Sequence, residues 1–502
     1  MIRKEKISLS LIIFFSILHL VWLFVLPLLP FVDLPFHLAE AEVSKSFNNP
    51  DYLFSTYFSI PSTIKSNSIY IYFCSLNVFP NVEIANKLFY AIYIILFPLS
   101  VWSIIKTFNG NSYYSILSYL FLINHNVHWG FVSYMMSLPI IFFIFISFYN
   151  YFVLNKSKYL YFIWIQFILV FFLHFQMAIF IVLIFAVLTI IYQRKSLKQI
   201  ILNTVSTVPV IVIMIYAYSI DSQNGTTPLF PYMLNYYTSS YLNTFFNRFN
   251  VLFVVDNYFI LRRFTGVIYS LFITIPIILI FIAKIFILGC STVLMNHNLK
   301  YLFILITVTF LCFFILPDVI PGQNIIFERY SVPFFLLIII ISSVIQSNIK
   351  FEKIIAIIIP FIVCIHTLFI SDYMFEFKNE TSEFTTDVFP DSSNSRLAGV
   401  ILDNDFRGSK VYAHFPMYFT VWKKGITTGL IDYRFGLIKR NVSRDILPQY
   451  IEWTEKQINY DDYYKPVDYL LIKSNSTPIY KNFKIIKDFG TWKIYINNSI
   501  IK

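Results

Sequence analysis

Long apolar runs, each near the ~20 residues that an α-helix needs to cross a bilayer, constrain this chain more than any other feature. About eleven can be placed, at roughly 8–29, 85–105, 112–124, 132–154, 158–174, 175–192, 200–219, 267–288, 300–316, 331–347 and 352–370. With 57% hydrophobic and 13% charged residues across 502 positions, no soluble domain of this size fits. The chain reads as a polytopic α-helical membrane protein. Its first run follows a basic start (MIRKEK) and ends in Leu-Pro-Leu-Leu-Pro rather than small residues, so it reads as an uncleaved anchor.

Lysine and arginine set the orientation. Arg3, Lys4 and Lys6 precede the first run; Lys156 and Lys158, Arg194, Lys195 and Lys198, Lys300, and Lys350 and Lys353 fall in later loops. Alternating through the runs puts all of them on one side, the cytoplasm. The net charge of +11 is therefore a matter of topology, and no aromatic-interleaved basic patch suggests nucleic acid. The four cysteines form no CxxC or metal spacing. The N-terminus is expected in the cytoplasm of an inner, or cytoplasmic, membrane.

Residues 1–370 then form the transmembrane domain, with a first outer loop at 31–84 and a second at 220–266. Within the first loop, the apolar stretch 66–80 reads as a helix lying at the interface. Residues 371–395 are rich in Ser, Thr, Asp and Glu and read as a linker. Residues 396–502 read as a small extracytoplasmic α/β domain. Its segment 396–405 looks helical, and 410–413, 467–473 and 492–497 look like short strands.

The chemistry gathers at the outer rim. Phe31-Val-Asp-Leu-Pro-Phe-His37 follows the first run. If a helix starts there, Asp33, His37 and Glu40 share one face, setting a carboxylate beside an imidazole for proton abstraction from a bound hydroxyl. The plainer reading is that Asp33 caps the helix, with Pro35 in its first turn. His125, His128 and His174 fall at the same rim, as does Arg329, and a shared outer-face site is expected. A guanidinium suits a phosphate, although Arg329 also follows Glu328 and an ion pair or a snorkelling side chain would explain it. Lys65 and Arg262 are further phosphate contacts to consider. His125-x-x-His128 with Asp33 or His37 offers a mixed N/O metal set but lacks i, i+4 spacing, so no cofactor is expected.

Several of these parts together resemble the GT-C class of integral-membrane glycosyltransferases, in its bacterial envelope type. The matching residues are Asp33 after the first span, the long first outer loop 31–84, Lys106-Thr-Phe-Asn-Gly110 at the end of the next span, Trp129-Gly-Phe-Val-Ser-Tyr-Met-Met-Ser-Leu-Pro139 opening a later one, and the closing α/β domain. The resemblance implies a GT-C-like fold and inverting transfer of a sugar from a polyprenyl-phosphate donor to an envelope glycan, lipid or protein. It implies Asp33 as general base, and Arg329 on the donor phosphate. The chain lacks an Asp-Glu pair in the first loop and a Trp-Trp-Asp triplet, which argues against peptide glycosylation. Competing readings are a lipid-linked glycan transporter or flippase and a polysaccharide polymerase or ligase.

Overall fold

The computed structural model of the chain describes residues 2–222, 229–288, 296–320, 323–428, 436–441, 467–477 and 479–500. Among these residues, nine helices are long and apolar enough to cross a membrane: Glu5–Val25, Val82–Thr107, Val132–Val153, Phe175–Gln193, Leu197–Ser219, Phe264–Ile287, His297–Ile315, Phe327–Val344 and Ile349–Glu380. Their outward faces carry exposed apolar side chains, such as Ile13, Ile17 and Phe24 on the first and Ile357, Phe361 and Leu368 on the last. Water would not tolerate such faces, whereas lipid requires them. The chain is a multi-pass membrane protein.

Two expected crossings take another form. Tyr159–Leu173 is apolar but has only 15 residues. The run at 112–124 is no α-helix: Ser112–Phe121 is a buried 3-10 helix of 10 residues. At ~2 Å per residue it spans about 20 Å. Residues three apart eclipse in this geometry, which stacks Ser112, Ser115 and Ser118 along one edge. Ser115 and Ser118 return their hydroxyls to the backbone at 2.6 and 2.7 Å.

Two ends can be told apart. At one, Lys106 Nζ lies 3.3 Å from Glu5 Oε2, and Asn111 Nδ2 donates to Glu352 Oε2 at 2.6 Å. At the other lie the first long loop, the turns after 124 and 173, and Gln323–Arg329. The first loop holds helices Leu34–Ser46 and Ile69–Ser75. The second of these is shorter than the interface helix expected at 66–80, and Tyr70, Ile71 and Cys74 on it are buried. The second long loop holds Leu229–Asn235 and Tyr241–Val254.

The last helix, Ile349–Glu380, overruns the expected span end at 370, so the first part of the expected linker is helical. Beyond it stands a five-stranded sheet. Its strands are β2 (Arg396–Ile401), β3 (Ile426–Thr427), β5 (Tyr469–Lys473), β6 (Phe483–Phe489) and β7 (Trp492–Asn497), in the order β3-β2-β5-β7-β6. Strand β2 runs parallel to β3 and β5; the β5–β7 and β6–β7 pairs are antiparallel. The segment expected as a helix from 396 is thus a central strand. Pairing on both sides fixes it as a strand, and at Gly399 a Cβ would come within 2.1 Å of the Pro416 ring, so the glycine serves close packing on the sheet face. Lys410–Ala413, expected as a strand, is a turn.

This domain is bolted to the first loop. Strand β1 (Phe58–Ser59) pairs antiparallel with β4 (Lys439–Arg440), and Asn441 N donates to Tyr57 O at 2.8 Å. Lys424 Nζ meets Glu42 Oε1 at 2.8 Å, and Trp422 Nε1 donates to Glu83 Oε1 at 3.1 Å. Arg407 donates to Ile260 O at 2.8 Å and pairs with Asp372 and Glu376.

Candidate functional site

Where the domain meets the helices lies a cavity of about 500 Å³. Asp33, His37, His174 and Arg329 all border it, joined by Asn67, Tyr70, Trp129, Phe131, Tyr134, Asn324 and His414. Sequence reasoning thus identified four of its polar side chains. The walls between them are largely aromatic.

Asp33 occupies the N-cap position of Leu34–Ser46, with Pro35 just after it, yet its side chain makes no capping hydrogen bond. Its Oδ1 lies 3.2 Å from His414 Nε2 instead. The capping explanation of this carboxylate therefore fails on geometry. Its backbone is fixed from beneath: Val32 N donates to His128 O at 3.0 Å, and Asp33 N to Trp129 O at 2.9 Å. Gly130 makes that approach possible. Its φ is +85°, and a Cβ on it would lie 2.8 Å from Leu34 N and 2.9 Å from Asp33 N. One turn along, His37 Nδ1 lies 3.3 Å from the buried Glu40 Oε2, and the ring stands edge-on to Tyr70 at 6.1 Å.

A cation borders the same cavity. Arg329 is buried, and its guanidinium stands over the Phe131 ring at 4.8 Å. One terminal nitrogen donates to Gln176 Oε1 at 2.7 Å and the other to Asn324 O at 3.3 Å; Nε has no partner. The Gln176 amide is oriented in turn by its Nε2, which donates to Ile326 O at 2.8 Å. Arg329 forms no ion pair among the described residues. The Glu328 carboxylate turns away, lying 3.7 Å from His125 Nε2.

His174 is the hinge between Tyr159–Leu173 and Phe175–Gln193. Its Nδ1 accepts from Met177 N at 3.3 Å, capping the second helix. Burial, and then the charge of Arg329, hold its pKa well below the ordinary imidazole range, so the ring is neutral. With Nδ1 accepting, the single ring proton sits on Nε2. That Nε2 lies 3.4 Å from an Arg329 terminal nitrogen. With that tautomer, two N–H groups stand side by side at the cavity. Such a pair can receive an anion. Asn67, in the left-handed region at φ 57°, ties the first loop to this hinge through Oδ1, which accepts from Phe175 N at 3.0 Å.

The remaining expected residues lie elsewhere. His128 is buried with Nε2 2.9 Å from the Tyr373 hydroxyl and its ring stacked on Phe259 at 4.2 Å. Burial, aided by the neighbouring His125, pushes its pKa down to about 3. His125 packs against Tyr258 at 5.6 Å and faces Glu328. Lys65 is buried outside the cavity lining, and Arg262 is exposed and paired with Glu376 at 2.8 Å. His128 serves the site through its carbonyl, which accepts from Val32 N. The mixed metal set does not assemble: among the described residues no three His, Cys, Asp or Glu side chains gather to hold a metal.

Behind the wall, Asp256 is buried with Oδ1 accepting from Ser331 Oγ at 3.0 Å. Burial pushes this carboxyl up to about 8, against the hydrogen bond from Ser331. The residues that sequence reasoning missed are His414, Gln176 and Asn67. Nothing local marks them, because each acquires its role from a partner distant in the chain.

The chain matches no protein-family model and no curated protein.

Proposed function

We propose that this protein is an inverting glycosyltransferase of the GT-C kind, moving a sugar from a polyprenyl-phosphate donor to an envelope glycan, lipid or protein. The observation that carries the reading is that one cavity is bordered by the Arg329 guanidinium with His174 beside it and by the Asp33 carboxylate. A lipid-anchored phosphate needs an apolar groove and a cation at headgroup depth. A hydroxyl acceptor needs a base across the sugar from that phosphate.

The chemistry balances simply. The acceptor oxygen attacks the anomeric carbon as its proton passes to Asp33. The bond from that carbon to the phosphate oxygen breaks, and the charge arriving on the leaving phosphate is met by Arg329 and His174. Positively charged loops on the opposite side suggest a cytoplasmic N-terminus, with the cavity and the C-terminal domain on the outer face of the cytoplasmic membrane. Nucleotide sugars are not made there, which favours a lipid-linked donor.

Purified protein given a synthetic short-chain polyprenyl-phosphate sugar should turn it over, and should leave the matching nucleotide sugar untouched. Asp33→Asn should reduce turnover by roughly 10²-fold or more. Turnover of the nucleotide sugar alone would overturn the donor, and a fully active Asp33→Asn protein would remove the base.

A further inference from the structure

We propose that His414, supplied by the C-terminal domain, is the positioning residue for Asp33, so that the domain is an integral part of the active site. The inference rests on the reading of Asp33 as the base. It starts from an oddity: an aspartate at a helix N-cap leaves the cap unmade and turns to a residue from another domain. At 3.2 Å the imidazole nitrogen and the carboxylate oxygen stand at ion-pair distance.

The contact is held from several directions. His414 opens the 3-10 helix Phe415–Met417, and its carbonyl accepts from Met417 N at 3.0 Å. Its ring is buried and tilted against Phe36 at 5.9 Å, a residue on the same helix that Asp33 precedes. The strand pairing with the first loop and the Lys424–Glu42 and Trp422–Glu83 contacts then fix the domain on either side. A loose domain could not keep one imidazole on one carboxylate oxygen. Binding Oδ1 to His414 restricts rotation of the carboxylate about its own axis. Oδ2 makes no hydrogen bond among the described residues, and Asp33 borders the cavity. One oxygen is anchored and the other is presented to the acceptor hydroxyl.

The role can be separated from packing. His414→Gln places an amide N–H near the position of Nε2, whereas His414→Phe keeps the ring and its contact with Phe36 but offers no donor. If His414 positions Asp33, the Phe variant should lose about 10²-fold in kcat with donor KM unchanged, and the Gln variant should stay within roughly 10-fold of wild type. The double variant His414→Phe/Asp33→Asn should be no slower than Asp33→Asn alone, because the two act as a unit. Full-length protein, checked for folding by size-exclusion chromatography, is assayed on the short-chain polyprenyl-phosphate sugar. A Phe variant as active as wild type, or a Gln variant as slow as Phe, would overturn the inference. Either result alongside an inactive Asp33→Asn would leave the glycosyltransferase reading standing. An active Asp33→Asn would instead remove Asp33 as the base, the reading on which the inference rests.

Discussion

Two buried cations sit at opposite ends of the helix bundle and are held in opposite ways. Lys284 is fully buried, and its ammonium donates to Ser342 O at 2.7 Å, Ile345 O at 3.0 Å and Glu352 Oε1 at 2.7 Å. Its three N–H groups are all used. The other Glu352 oxygen takes Asn111, and the Tyr114 ring closes one side at 4.5 Å. Arg329, with five donors, faces only neutral oxygens, leaves Nε without a partner, and borders a cavity of about 500 Å³. Partners separate the two kinds of buried charge. One whose donors are all matched by a carboxylate and carbonyls holds the fold together. One with donors to spare beside a cavity waits for an anion.

The largest effect should come from the closed cation. Lys284→Met leaves Glu352 without its counter-charge, at a cost of roughly 3–5 kcal/mol. The expected outcome is loss of folded protein in detergent, read by size exclusion. Arg329→Met should leave the folded yield intact and remove donor turnover. If instead Arg329→Met unfolds and Lys284→Met does not, the contrast is void. Next, Arg329→Lys keeps the charge but gives up the fork of donors. Losing one charge-assisted hydrogen bond costs about 1.5–3 kcal/mol, so donor use should fall roughly 10- to 100-fold.

A smaller effect is expected at Gly130. Gly130→Ala forces a Cβ against the backbone nitrogens of Leu34 and Asp33 and strains a φ of +85°. Together these should cost about 1–3 kcal/mol, measured as a lower melting temperature, with reduced turnover because Asp33 moves. A melting temperature equal to wild type would mean that the clamp on Asp33 has slack. The smallest effect concerns pH. Asp256 ordinarily titrates near 3.8 but is pushed up to about 8 in the fold. Between those values the folded state keeps a proton that the unfolded state lacks, so stability falls as pH rises through that window. Asp256→Asn should flatten the profile and raise the melting temperature by a few degrees above pH 8, by order of magnitude. An unchanged slope would mean that Asp256 is ionised in the fold.

The membrane helices were legible because apolar length is a property of single segments. Asp33, His37, His174 and Arg329 were legible because they lie at the ends of spans, and the ends of spans meet. The strand from Arg396 to Ile401 was misread as helix because its place is fixed by neighbours on both sides, which no local pattern carries. The Ser112–Phe121 segment was read as an ordinary span because a 3-10 helix has no separate apolar signature. His125 and His128 attracted notice as side chains, while it is the carbonyls of His128 and Trp129 that hold the Asp33 backbone. Gly130 was the available clue, since a glycine after such a run signals a close backbone approach. His414 had no clue at all: it sits in an unremarkable turn, and only the docking of the sheet brings it to Asp33.

On the proposed function, Arg329 and His174 receive a lipid-linked phosphate. The direct measurement is equilibrium binding of a short-chain polyprenyl monophosphate to purified protein, which requires neither the sugar nor the acceptor to be known. Wild type should bind it, and Arg329→Gln should bind at least roughly 10-fold more weakly while remaining folded, as expected for loss of a charged hydrogen-bonding partner. Equal binding by the folded variant would contradict the account.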